Sequence, residues 1–267
     1  MKKAHSAEAL PYVLVRVRAR LFGLPSQDVV EMVSLSEVSS VPQVPSHVRG
    51  VLNLRGRVLP LVDLRRRLGL PSAADDLEAL IEVFDARERD HRKWIDELDA
   101  AIDEKRAFTL TTNPHECAFG RWYDSLHTDN VVLASQLKKI DAPHRRIHLR
   151  GAEALACAAR GEHDRARAIS RDIRERELAG TLALFAETRM ALRDAHREVA
   201  VVTQAGGRQM AVAVDGIEAV EHLKETDSDR LEAYVPEFSG GLVSSIRKRA
   251  RDEQLVMVVA PSRVMAA

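Results

Sequence analysis

Histidine and cysteine are the side chains of this chain best suited to hold a metal ion, and they crowd into one stretch. Seven of the ten histidines and both cysteines lie between residues 81 and 198. In Pro143-His144-Arg145-Arg146-Ile147-His148 the two histidines are i and i+4. On a helix both rings then project from one face and can chelate one ion. Pro143 suits a first helical turn, which places His144 near a helix start. Two imidazoles do not complete a tetrahedral site, and zinc takes four ligands, with imidazole and thiolate favoured. Cys117 is the natural third donor and His91 supplies a fourth. Trp94, three residues after His91, can wall the site from water. His115, two residues before Cys117, is the rival ligand.

The spacing speaks against hydrolysis. A zinc hydrolase needs an open coordination position and a nearby general base. Arg145 stands where the H-E-x-x-H pattern places its glutamate, and no carboxylate shares that helical turn. There is no C-x-x-C and no resolving cysteine near Cys117, which argues against a thiol oxidoreductase. Cys157, between small and apolar neighbours, reads as a core residue. A thiolate held by a metal stays deprotonated at neutral pH and is therefore oxidisable. Cys117 can thus be ligand and redox switch at once. The alternatives are a metal that only holds a scaffold together and, less favoured, a redox-active zinc-thiolate enzyme.

Helices must position these residues, and the middle of the chain is built for them. Residues 81–198 hold three of the 28 valines and few Gly or Pro, and are rich in Ala, Arg, Glu and Leu. Four helices are predicted, at about 78–106, 119–138, 142–160 and 163–197. The flanks hold the other 25 valines. Val13, Val15 and Val17 alternate with Leu14, Arg16 and Arg18, as a half-buried strand does. Arg55-Gly56 and Gly206-Gly207 mark hairpin turns. Neither β flank looks complete alone. The economical reading is one β domain, residues 1–77 and 198–267, interrupted by a helical insertion at 78–197. Such insertions are tolerated where the inserted ends lie close together.

The totals mainly exclude. In 267 residues, 40 Lys+Arg balance 40 Asp+Glu, and aromatics make up 4%. That is unlike a nucleic-acid binder with its basic excess and stacking rings. Two cysteines rule out a disulfide scaffold. Met1-Lys2-Lys3 is not followed by a signal-peptide core, and no run approaches a membrane span. A soluble cytoplasmic protein is expected.

Three ordered motifs carry a resemblance. Asp90-His91-x-x-Trp94, Cys117-x-Phe119-Gly120-x-Trp122-Tyr123 and Pro143-His144-x-x-Ile147-His148 together resemble the chemoreceptor zinc-binding (CZB) family over about residues 80–190. Arg121 stands where that family more often has Lys. The resemblance implies a four-helix bundle, often dimeric, whose zinc is held by His91, Cys117, His144 and His148. The flanks resemble a second family. Val48-Arg49-Gly50-Val51-Leu52-Asn53-Leu54-Arg55-Gly56-Arg57-Val58-Leu59-Pro60-Leu61-Val62-Asp63-Leu64-Arg65 is similar to the signature of CheW, the adaptor between chemoreceptors and the histidine kinase CheA. Phe22-Gly23-Leu24-Pro25 and Ala213-Val214-Asp215-Gly216-Ile217 fit the same family, whereas Ala260-Pro261 departs from it where an acidic residue is common.

The two resemblances imply an α+β protein: a pair of small five-stranded β-barrels interrupted by the zinc-binding bundle. They imply a non-enzymatic adaptor that meets a chemoreceptor tip, a CheA-type kinase or both, with Arg55 and Asp63 as partner contacts. They further imply a homodimer, and a bundle that reports zinc or oxidants through the two chain crossings.

Overall fold

A computed structural model describes residues 11–35, 37–225 and 241–265; the Met1–Lys3 stretch read above as leader-free lies outside them. The chain divides into two compact units, residues 1–75 with 197–267, and residues 76–196.

The first unit is β. Its strands are β1 (Tyr12–Val17), β2 (Arg20–Pro25), β3 (Val29–Ser34), β4 (Val38–Ser39), β5 (Val48–Leu54), β6 (Arg57–Asp63), β7 (Val199–Ala205), β8 (Arg208–Val214), β9 (Gly216–Glu221), β10 (Leu223–Glu225), β11 (Val243–Arg249) and β12 (Leu255–Val259). They form two six-stranded sheets, ordered β10-β11-β12-β2-β1-β9 and β3-β7-β8-β6-β5-β4. Both sheets join strands from either side of the helical segment. β6 runs parallel to β8, with Leu61 opposite Ala211, and β3 pairs antiparallel with β7. Neither flank could satisfy its backbone alone.

Each sheet has six strands rather than five because one stretch of chain is broken in two. β9 and β10, separated by His222, lie at opposite ends of one order; β3 and β4 do so in the other. The alternating valines behave as their period requires: Val13, Val15 and Val17 join Val62, Val201 and Val212 in one core. The turns of the two hairpins need left-handed backbone. Arg55 and Gly56 have φ of 50° and 83°, and Gly206 and Gly207 have 57° and 76°. That is the pattern of two-residue turns whose twist matches the strands.

The second unit is helical. α1 (Leu64–Arg67) closes the first β segment, and α2 (Ala73–Asp103), α3 (Ala118–Ser125), α4 (Val131–Ala159), α5 (His163–Asp172) and α6 (Ala179–Ala195) follow. A π-helical turn, Ile173–Leu178, joins α5 to α6 as one rod. The final helix, α7 (Pro261–Val264), returns to the β unit.

These bounds differ from the predicted four helices in three ways. α2 starts earlier, because Ser72 and Asp75 form a reciprocal cap: Asp75 N–H donates to Ser72 Oγ at 3.1 Å and Ser72 N–H to Asp75 Oδ2 at 2.8 Å. The predicted second helix shortens to α3, and its remainder fuses with the third to give α4. Pro143 lies inside α4, so His144 is mid-helix rather than at a start. An interior proline costs a hydrogen bond and about 3 kcal/mol. Here the buried stripe Leu133, Leu137, Ile140, His144, Ile147, Gly151 and Ala154 runs unbroken past it and holds the helix together. α4 ends at Gly161, whose φ of 81° closes the turn as Glu162 N–H reaches back to the Cys157 carbonyl at 3.0 Å.

Candidate metal centre

α2 contributes His91, the α3 N-terminus Cys117, and α4 both His144 and His148. Their ligand atoms lie within 4.8 Å of one another. His144 and His148 share a face of α4 because they are one turn apart. Cys117 is the N-cap of α3, its sulfur accepting the Gly120 N–H at 3.2 Å. His91 is turned by its own helix: Nδ1 lies 2.7 Å from the Arg87 carbonyl. Assigning the proton to Nδ1 leaves the Nε2 lone pair for a ligand, the arrangement by which a backbone carbonyl fixes a metal-binding imidazole.

Aromatic rings pack around the imidazoles. Phe119 meets the His144 ring edge-on with centroids 4.7 Å apart, Phe185 meets His91 at 5.9 Å, and Trp94 meets His148 at 5.0 Å. Burial lowers all three imidazole pKa values, because a desolvated site disfavours the imidazolium. His144 is pushed down to about 2, first by burial and then by His91 and His148 beside it. His148 is pushed down to about 4, mainly by burial, and His91 is lowered for the same reason. All three are therefore neutral, which is the ligand form. Burial pushes the Cys117 thiol up, and this outweighs the Gly120 N–H that favours the thiolate.

A metal fits the unmet demands of this cluster. His148 is fully buried, yet among the described residues neither ring nitrogen makes a hydrogen bond of normal geometry, and His91 Nε2 is equally orphaned. Buried polar atoms without partners are rare and call for an explanation. The Cys117 sulfur stands 3.2 Å from His144 Nε2. Zinc bonds of usual length set the ligands of a tetrahedron roughly 3.3–3.8 Å apart. The donors, one pair at 3.2 Å and all within 4.8 Å, are spaced on the scale of a closed tetrahedral site. A thiolate with three neutral imidazoles is a donor set that zinc favours.

The other histidines stand apart from this set. His115, the rival ligand, is exposed and pairs through Nδ1 with Asp124 at 2.9 Å. His127 is exposed, and His163 and His196 are half-buried. Cys157 is fully buried in an apolar core with Ile147 and Ile173.

The two predicted partner contacts separate. Arg55 sits on the β5–β6 turn with 76% of its side chain exposed, 3.4 Å from Glu31. Asp63 is only 2% exposed and caps α1, its carboxylate accepting the Arg66 N–H at 3.1 Å. Asp63 offers a partner no surface; in this chain its carboxylate starts a helix. Sequence reasoning did not find Gly151. A Cβ there would meet the Trp94 indole at 2.2 Å, so the glycine seats that ring against α4. A glycine inside a helical pattern was the available signal.

A cavity of about 610 Å³ opens beside the cluster, lined by His91, Trp94, Thr111, Cys117, Arg121 and His148 among others. Among the described residues no helix is long and apolar enough to cross a membrane.

Comparison with known proteins finds two families. Residues 11–91 match the family model of the CheW-like domain, and residues 91–155 that of the chemoreceptor zinc-binding domain. Chemotaxis protein CheW of Helicobacter pylori is 29% identical over 105 residues, 39% of this chain and 64% of that protein. Chemotaxis protein CheW of Rhizobium meliloti is 34% identical over 77 residues, 29% of this chain and 50% of that protein. Protein FrzA of Myxococcus xanthus is 36% identical over 69 residues, 25% of this chain and 43% of that protein. The chain thus spans less than two thirds of the length of these curated relatives. The two matches meet at His91, the first running from β1 into α2 and the second from His91 past His148, so the chain is similar to a CheW-like domain over residues 11–91 and to a chemoreceptor zinc-binding domain over residues 91–155.

Proposed function

We propose that this protein is a non-catalytic adaptor of a chemotaxis-type signalling system, with a zinc-holding sensor inserted in its CheW-like domain. His91, Cys117, His144 and His148 are the ligands. The observation that carries this is the convergence of four donors in a buried site where, among the described residues, His91 Nε2 and both His148 ring nitrogens lack a hydrogen-bond partner. When bound, zinc keeps the sulfur deprotonated and supplies the charge that its four ligands share.

Cys117 is the corner that can change. An oxidant that transfers oxygen to its thiolate gives a sulfenic acid, a poorer donor. The cavity beside the cluster lets a small oxidant reach the sulfur, whereas Cys157 is enclosed. Loss of that ligand frees the N-terminus of α3, which Cys117 caps. The chain passes between the two units at residues 75–76 and 196–197, and a change in the bundle reaches the β unit through these crossings. On the β unit, the exposed Arg55 is the proposed contact with a chemoreceptor tip or a CheA-type kinase.

The test is metal analysis of the purified protein, with and without mild oxidant, followed by pull-down against a CheA-type kinase. About one zinc per chain in wild type, lost in Cys117→Ala and on oxidation, with kinase binding altered in both, is expected. If Cys117→Ala and oxidant both leave partner binding unchanged, the sensor reading fails. Zinc that neither exchanges nor leaves on oxidation favours the scaffold reading, which the position of the cluster inside the core supports.

A further inference from the structure

The segment between α2 and α3 delivers Cys117 to the cluster, so something must hold it in place. Two residues of α2, Trp94 and Glu97, lie three apart on one face and grip it. Trp94 Nε1–H donates to the Thr111 carbonyl at 2.8 Å. Glu97 Oε1 accepts from Thr109 Oγ1 at 2.7 Å and from Thr109 N–H at 3.2 Å. Phe108 packs edge-on against the Trp94 ring, with centroids 5.5 Å apart. The indole cannot drift, because Gly151 leaves it a seat that a Cβ would close, and its other edge lies against His148. Thr109, Leu110 and Thr111 also line the cavity that reaches Cys117. The segment therefore shares a cavity wall with Cys117 and is pinned at its middle.

We infer that Trp94 is a positioning residue for the Cys117 corner: through the Thr111 carbonyl it sets where the sulfur meets the three imidazoles and how open the cavity is. This rests on the zinc reading above. The geometry separates Trp94 from ordinary core residues. Ile173 belongs to the same apolar cluster and is equally buried, but makes no bond to the segment. Trp94→Phe keeps an aromatic ring and removes the N–H; Ile173→Val removes one methylene and leaves the bond intact.

The experiment loads the full-length protein with cobalt(II), whose thiolate charge-transfer band reports the sulfur–metal bond. Affinity is read by chelator competition, and alkylation of Cys117 in the metal-loaded protein by peptide mapping. Trp94→Phe is expected to weaken metal binding about tenfold, the lower end for partners that orient a ligand. Its thiolate band should weaken and its alkylation quicken, while Ile173→Val leaves all three as in wild type. Equal effects in both variants, or an unchanged band in Trp94→Phe, overturn the inference. Should Trp94→Phe fail to fold, Phe108→Ala loosens the same segment from outside. About threefold weaker binding is then expected from the lost ring contact, and unchanged binding in the folded variant overturns the inference. Wild-type protein that takes up no metal overturns the zinc reading and this inference with it, a result distinct from intact wild-type binding with an inert Trp94.

Discussion

Metal binding to this cluster should release one proton, and that number follows from the burial of its groups. The perturbation is pH. With ordinary imidazoles of pKa about 6.5, each ring is about 90% protonated at about pH 5.5, so three would surrender about 2.7 protons. The thiol would add one, for a total of about 3.7. In the folded protein His148 is pushed down to about 4 and His144 to about 2, and His91 is lowered by the same burial. His144 and His148 are then already neutral, His91 is shifted the same way, and the Cys117 thiol, pushed up by burial, is the group with a full proton to give. Raising the pH favours the thiolate, so zinc affinity should rise about tenfold per pH unit, or about 1.4 kcal/mol. It should keep that slope from about pH 7.5 down to about 5.5. Calorimetric titration in buffers of different ionisation enthalpy counts the protons directly. A release above two at the lower pH refutes the burial argument. A release near zero in wild type refutes Cys117 as a ligand, and in Cys117→Ala zero is the expected value.

Other consequences are as direct. The metal-free protein should lose stability as the pH falls below the unfolded imidazole value of about 6.5. The unfolded chain then takes up protons that the folded one refuses until about 4 or lower. Thermal melts across that range, flattened by zinc, check it; a flat metal-free profile would contradict it. Gly120→Ala places a Cβ 1.8 Å from the Pro114 carbonyl oxygen, on backbone that cannot rotate away. It should cost about 1–3 kcal/mol and displace Cys117, seen as a lower melting temperature and a weakened cobalt–thiolate band. Asp63→Ala removes the α1 cap and should cost about 1 kcal/mol, whereas Asp63→Asn keeps an acceptor and should cost little in denaturant titrations. Arg55→Glu should leave stability within about 0.5 kcal/mol of wild type, the usual range for an exposed position. Pull-down then decides whether the turn meets a partner.

What the sequence showed and hid follows from range. Valine alternation and the Gly-Gly and Arg-Gly turns are local signals, and the strands they marked, such as β1, β7 and β8, stand where the pattern put them. The clustering of His91, Cys117, His144 and His148 was legible because each sits in a short motif, and helical spacing alone aligned two of them. Pro143 misled because its local preference for a first turn lost to a buried stripe reaching well beyond it. Asp63 misled because a conspicuous acidic residue in a signature looks like a contact, while only its neighbours across the sheet reveal its burial. The Trp94–Thr111 bond joins residues 17 apart through a backbone carbonyl, which no side-chain pattern can announce.

The π-helical turn Ile173–Leu178 has a meaning of another kind. A wide turn closes its hydrogen bonds one residue later than an α-turn, so it stores a single surplus residue without breaking the rod. An extra residue in a regular helix would rotate all that follows by about 100° and swing Phe185 away from the aromatic rings it touches. Here the surplus is absorbed within one turn, and the faces of α5 and α6 both stay on the core. A one-residue insertion into a regular helix would leave such a turn. Relatives that lack it should show a single gap within residues 173–178 and an uninterrupted α-helix there. A copy of this chain with one residue deleted from that turn should fold with the same packed face.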